Sequence, residues 1–398
     1  MESKFIKYVG TDDLRDFLFE NQWTLPEGVA YNSYVVADEK TALIDTAAAA
    51  FGDKFIAEVK RATGGKPVDY LIINHMEPDH SALIALARKN WPDMTIVTNA
   101  KAVPMVAGYH GITDNILIVN ENDTLDLGHC SLVFKMTPMV HWPETMMTYL
   151  PEEETLFSGD AFGCFGALKG RGEDHFEEFR DEMVRYYASI VGKYGQTVQA
   201  AMKKLAGVPV SRICSTHGPV WEKDIPKVLD IYDRMSRYET EKGVCIVYGS
   251  MYGNTAEAAK AIYEECKARG IKCAIHDAVT ENPSFIYKDI FEYDTLVCGA
   301  PTYNNEIFPA VAHILKGVAA RMVKNHKFAA FGSYTWVGGS VKLMNLMAES
   351  AGLQVLGEGM PFKQAFSQAK PDIKAFVDTI EAWTPLMKTC YTLYIMLS

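Results

Sequence analysis

From about Lys242 the chain runs through short apolar strands and amphipathic helices in turn: VCIVYGS, TAEAAKAIYEECKARG, KCAIHDA, TLVCGAPT, FPAVAHILKGVAA and KFAAFGSYT. Parallel strands need long crossovers, and a helix is the usual one, so this rhythm predicts a doubly wound parallel sheet. The stretch before it is patterned differently. NSYVVAD and TALIDT alternate polar and apolar residues, and YLIIN from Tyr70 is a short apolar run. FEEFRDEMVRYYASIV places Phe176, Phe179, Met183, Tyr187 and Ile190 on one helical stripe. Strand hairpins and helices are therefore mixed in the first half. The polar segment SRYETEKG, closing with Gly243, sets the expected boundary between domains at 1–242 and 243–398. A chain of 398 residues, 48% hydrophobic, is long enough for two buried cores.

The densest chemistry follows the apolar strand ending at Asn74. His75, Glu77, Asp79 and His80 put four potential metal ligands into six residues, and Pro78 stiffens the turn that carries them. Alternate side chains on such a loop can converge on one point, with room for two adjacent metals. His141 in PMVHWPE, Asp160 in LFSGDAFG and His217 in ICSTHGPV stand at the ends of further apparent strands. Any one of these alone reads as a turn or capping residue; joined to the first cluster they read as ligands.

A strand followed by H-x-E-x-D-H, then a spaced His, Asp and His, resembles the metallo-β-lactamase superfamily over roughly residues 25–240. That resemblance implies an αββα sandwich. Zinc hydrolases of the superfamily usually carry His at the third motif position. Glu77 stands there instead, and a hard oxygen ligand favours iron. The whole set is similar to that of the flavodiiron proteins, which reduce oxygen or nitric oxide. By this resemblance His75, Glu77 and His141 hold one iron, Asp79, His80 and His217 the other, and Asp160 bridges them. In some members the residue matching His80 is unbound. The resemblance also points to Tyr194 as a hydrogen-bond donor near bound substrate, a role that competes with plain packing at a helix end. Zinc has no redox chemistry, whereas two ferrous ions can deliver two electrons.

In the second half the strand VCIVYG runs into Ser250, Met251, Tyr252, Gly253, Asn254 and Thr255, after which a helix begins. Successive backbone N–H groups, hydroxyls and a positive helix end cradle a phosphate there without a lysine. The missing G-K-[ST] argues against an ATPase loop. Two later strand ends carry Pro301, Thr302, Tyr303 and Asn304, and then Ser333, Tyr334, Thr335, Trp336, Val337 and Gly338. Ligands of doubly wound sheets bind outside such strand ends. The three loops resemble those that hold FMN in flavodoxins, with Trp336 beside the ring.

The flavodiiron resemblance spans nearly the whole chain in the expected order, in a minimal form without an added rubredoxin or flavin reductase module. It implies electron flow from a separate donor, rubredoxin or a reduced deazaflavin, through FMN to the diiron site. It also implies a head-to-tail homodimer, or a tetramer of such dimers. Two rivals remain at this stage: a zinc hydrolase with an appended flavodoxin, and an FMN electron carrier whose first domain binds no metal. A formal net charge of −11 argues against nucleic-acid binding. Neither a signal peptide at MESKFIKYVG nor a stretch of about 20 apolar residues is present, so a cytoplasmic location is expected. The eight cysteines are spread too widely for a disulfide framework or a zinc knuckle. The apolar residues from Cys390 to Ser398 are read as a docked terminal segment.

Overall fold

The computed structural model describes residues 3–170 and 176–381, and the segment from Cys390 to Ser398 lies outside them. The chain divides into two compact units, Met1–Arg237 and Tyr238–Ser398. The division falls inside SRYETEKG, a few residues before Gly243, because the first strand of the second unit already starts at Glu241.

The first unit holds two sheets. One runs β1 (Ile6–Tyr8), β2 (Tyr34–Ala37), β3 (Thr41–Ile44), β4 (Tyr70–Ile72), β5 (Thr95–Thr98) and β6 (Ile116–Ile118), in that spatial order. Its first two pairings are antiparallel and the rest parallel. The other runs β7 (Thr124–Asp126), β8 (Ser131–Met136), β9 (Met146–Leu150), β10 (Thr155–Gly159) and β11 (Arg212–Ser215), with only the last pair parallel. Val36, Ile44, Ile72 and Val97 of the first sheet share one core with Leu132, Phe134, Met146 and Phe157 of the second. The sheets are therefore packed face to face. Helices lie outside them, as α1 (Gly52–Thr63) shows by burying Phe55, Ile56 and Val59 on one side.

Two stretches depart from the sequence reading. The predicted helix over 176–191 is α-helical only for Phe176–Tyr186, α2, and continues as a π-helical turn from Tyr187 to Val191. The widened turn sends Tyr187, Ala188, Ile190 and Val191 inward together, more than one α-helical stripe supplies. The first thirty residues also form hairpins, Thr11–Asp13 with Val29–Tyr31 and Leu18–Phe19 with Trp23–Thr24. Strands of two or three residues are too short for alternation to register.

The second unit is built on β12 (Glu241–Tyr248), β13 (Cys273–Asp277), β14 (Tyr293–Gly299), β15 (Lys327–Tyr334), β16 (Gln354–Val355) and β17 (Met360–Lys363). The spatial order is β13-β12-β14-β15-β16, with β17 also on β15, and every pair is parallel. This is the flavodoxin-like order, whose ligand crevice lies at the carboxyl ends of the strands. The interior residues of β12 are buried, as expected for a central parallel strand covered on both faces.

Candidate functional site

Three strand ends and one loop of the first unit deliver the predicted ligands. His75 follows β4, Asp160 follows β10, His217 follows β11, and His141 lies on the loop between β8 and β9. The loop after β4 is fixed from below: Asn74 donates its N–H and Nδ2 to the two oxygens of Asp45, at 2.8 and 3.0 Å. Pro78 opens the short helix Pro78–Ser81, which turns Asp79 and His80 inward. Thr197 donates to the carbonyl of Met139 at 3.0 Å and so ties the approach to His141.

The ligand atoms converge in two groups joined by one carboxylate. His141 Nε2 is 2.9 Å from Glu77 Oε2, 3.2 Å from Asp160 Oδ2 and 3.4 Å from His75 Nε2. His75 Nε2 is 3.5 Å from Glu77 Oε2 and 3.6 Å from Asp160 Oδ2. The second group uses the other oxygen: Asp160 Oδ1 is 3.4 Å from His80 Nε2 and 3.5 Å from His217 Nε2. Asp79 completes it, 3.1 Å from His217 and 3.5 Å from His80. Atoms about 2.1 Å from a common ion stand about 3.0 Å apart in an octahedron and about 3.4 Å apart in a tetrahedron. The observed spacings are those of ligands around an ion.

Orientation supports the same conclusion. Asp79 Oδ1 and Oδ2, His80 Nε2 and His217 Nε2 are buried and make no hydrogen bond among the described residues. At 3.1–3.5 Å from one another these atoms are in reach but point at shared space rather than at each other. Buried polar atoms left this way are costly unless something else satisfies them, and a cation at each group does so.

The electrostatics agree. Burial alone would lower the His80 imidazole, but Asp79 and Asp160 outweigh it and push the group up to about 10. His75, His141 and His217 are raised against burial in the same way. Burial would raise Asp160 and Glu77, yet the imidazoles hold both carboxyls well below the usual range. Three carboxylates thus draw positive charge into a buried pocket, and metal ions bound there would supply it in place of the imidazole protons.

Outer partners orient the ligands. Glu144 accepts from His75 Nδ1 at 2.7 Å and from the N–H of Met76 at 3.0 Å. His217 Nδ1 is 2.8 Å from the carbonyl of Ala30, and the Thr216 hydroxyl donates to Asp160 Oδ1. His80 has no such partner on Nδ1 among the described residues, which leaves it the least anchored imidazole. The sequence reading missed Glu144, whose only signal is its place three residues after His141. Outer carboxylates of this kind typically support metal affinity by ten- to a hundredfold. Glu144→Ala is expected to speed chelator removal of iron at least tenfold, read by absorbance of the extracted metal; an unchanged rate would make Glu144 a packing residue.

Aromatic rings enclose the centre. Trp142 lies 5.1 Å from His75, Phe19 5.4 Å and Tyr31 5.6 Å from His217, centroid to centroid. Tyr194 is half-buried at a helix start, its ring 6.5 Å from His141. A second tyrosine, not anticipated, faces the other group. The Tyr186 ring is 5.7 Å from His217, fully buried, and its hydroxyl makes no hydrogen bond among the described residues. Burial, reinforced by the charge of Asp160, keeps that phenol protonated.

In the second unit, residues from all three predicted loops line one cavity of about 540 Å³. Ser250, Met251, Tyr252, Asn254, Thr255, Pro301, Thr302, Tyr303, Asn304, Ser333, Tyr334, Thr335, Trp336 and Val337 border it. Gly253 and Gly338 stand beside it, outside the lining. Gly253, at φ 92, opens the helix Asn254–Ala268, a conformation that favours glycine. The Ser250 hydroxyl accepts its N–H at 3.1 Å, and Thr255 and Ser333 join their hydroxyls at 3.0 Å. Asn304 and Asn305, at φ 52 and 62, make the tight turn of the hairpin Thr302–Tyr303 with Glu306–Ile307. Trp336, which borders the cavity, is 81% exposed.

Residues 29–218 match the family described as ODP family beta lactamase, and residues 246–376 match the flavodoxin family. The chain is 30% identical over 342 residues to the nitric oxide reductase of Moorella thermoacetica, covering 85% of this chain and 86% of that one. Among solved structures it is similar to the rubredoxin oxygen:oxidoreductase of Desulfovibrio gigas, with TM-score 0.86 and 26% identity over 95% of this chain and 98% of the other. The flavodiiron protein of Giardia intestinalis gives TM-score 0.89 and 25% identity, covering 95% of both chains. Fold, site and likeness define a two-domain oxidoreductase that couples FMN to a non-haem diiron centre. The chain belongs to the flavodiiron protein family.

Proposed function

We propose that the protein passes electrons from an external donor through FMN to the diiron site, where oxygen is reduced to water or nitric oxide to nitrous oxide. One observation carries this reading: Asp160 offers its two oxygens to two separate groups of ligand atoms. His75, Glu77 and His141 would hold one iron and Asp79, His80 and His217 the other, with Asp160 shared between them. When bound, the iron pair supplies electrons to the gas and FMN replenishes them. The chain's own contribution is the pocket. Trp142, Phe19 and Tyr31 keep bulk water from the ligands and suit a small uncharged substrate. The unpartnered Tyr186 hydroxyl offers a hydrogen bond from the His217 side, and Tyr194 stands on the His141 side as a second donor.

The donor is a rubredoxin or a reduced deazaflavin, and the location is cytoplasmic. No helix among the described residues is long and apolar enough to cross a membrane. The working form is a head-to-tail homodimer, alone or paired into a tetramer. Met251, Tyr252, Trp336 and Val337 expose apolar surface around the flavin cavity, between 40% and 90% each, which favours a protein partner there. The direct test is gas consumption by anaerobically reduced protein. Oxygen loss to water at four electrons per molecule, or nitric oxide loss to nitrous oxide, supports the proposal; reduced protein inert to both gases would overturn it.

A further inference from the structure

The flavin cavity has a wall that none of the three recognised loops supplies. Gln364 lines it, and Gln364 follows β17, well after the loop that carries Trp336. We propose that Gln364 is a fourth element of the flavin site, its carboxamide binding the ribityl phosphate tail of FMN; the inference rests on the FMN reading of this cavity.

The position is set from two sides. β17 lies parallel to β15 with Lys363 opposite Tyr334, and the N–H of Gln364 donates to the carbonyl of Tyr334 at 2.7 Å. Two residues later the N–H of Phe366 donates to Asn254 Oδ1 at 3.2 Å, while the Phe366 ring packs edge-on to Phe362 at 5.8 Å. Residues 364–366 are thus strapped at one end to the third loop and at the other to the phosphate loop. Tyr334 directly follows Ser333, whose hydroxyl meets Thr255 of the phosphate loop at 3.0 Å, so the backbone of Gln364 is anchored beside the junction of the third loop with the phosphate loop.

The chemistry fits the tail. Among the described residues, none that lines the cavity carries a positive charge. A dianionic phosphate and a polyol must then be held by neutral donors: the loop amides, the hydroxyls of Ser250 and Thr255, and carboxamides. Gln364 brings two N–H donors and one acceptor on a chain long enough to reach across. Its backbone sits in the left-handed region at φ 65, where glycine would rest more easily. A side chain kept at such a position directs attention to what it contacts.

The left-handed backbone also makes the test clean. Gln364→Gly removes the carboxamide while easing the backbone, so a weaker site in that variant does not come from a strained turn. Gln364→Glu keeps the shape and sets a carboxylate against the phosphate. Full-length apoprotein is titrated with FMN and with lumiflavin, which has the ring without ribityl or phosphate. The expected result is an FMN Kd raised about tenfold in Gln364→Gly, the loss of one or two hydrogen bonds, and further in Gln364→Glu. Lumiflavin affinity should stay within about twofold throughout. FMN affinity unchanged in both variants, or an equal loss for lumiflavin, would overturn the role of Gln364. A parent protein that binds neither flavin would overturn the cofactor reading, and the inference with it.

Discussion

Asp160→Asn is expected to strip the protein of most of its iron and to lower gas reduction by at least a hundredfold, while FMN binding and FMN reduction stay unchanged. The asymmetry follows from where Asp160 sits. Its two oxygens face two ligand groups, at 3.2–3.6 Å from four imidazole nitrogens. An amide keeps the shape but offers one neutral oxygen and one N–H pair, so one group loses a ligand and gains a donor aimed at a cation. The bridging charge disappears as well, in a buried pocket where charge is worth most. The flavin cavity lies in the other unit and has no part in this. Iron analysis, flavin absorbance and gas consumption on one preparation separate these effects. Full iron content in the variant would remove Asp160 from the bridging position.

Mixed dimers should show the second large effect. A variant lacking both His75 and His141 loses all four of their close contacts to Glu77 and Asp160 and is expected not to hold the first iron. A variant broken at Ser250 and Thr255 loses the hydroxyls that cap and brace the phosphate loop. Each parent is expected to be inactive for its own reason. If the flavin of one subunit serves the iron of its partner, heterodimers regain one working pair and activity rises from background to roughly half of native on a dimer basis. Active heterodimers also require that electrons arrive at FMN from outside, so the assay uses a reductant common to all preparations. Proven heterodimers with no recovered activity would show that electrons travel within one chain.

The convergent His, Asp and Glu residues were legible because most of them stand at or just after strand ends, where local pattern and chemistry coincide. His75, Asp160 and His217 each follow a buried strand, and the flavin loops do the same. Glu144, Tyr186 and Gln364 were not legible for the opposite reason. Glu144 reaches His75 across 69 residues, and an acidic residue in a loop has no pattern of its own. Tyr186 reads as one more apolar position in a helix; only the folded chain sets its ring beside His217 with a hydroxyl that has no partner among the described residues. Gln364 reaches the cavity through the parallel pairing of β17 with β15, which leaves no local pattern. The helix Pro283–Glu292 was readable and went unread: Asn282 caps Ser284 and Pro283 opens the first turn.

The central claim is that one chain carries both a redox-active diiron centre and FMN, and metal and flavin analysis of anaerobically purified protein tests it most directly. The account predicts close to two iron atoms and one FMN per chain, with iron that changes oxidation state when the flavin is reduced. Zinc in place of iron, with hydrolytic turnover, would contradict it, and so would a full complement of FMN in a protein that binds no metal.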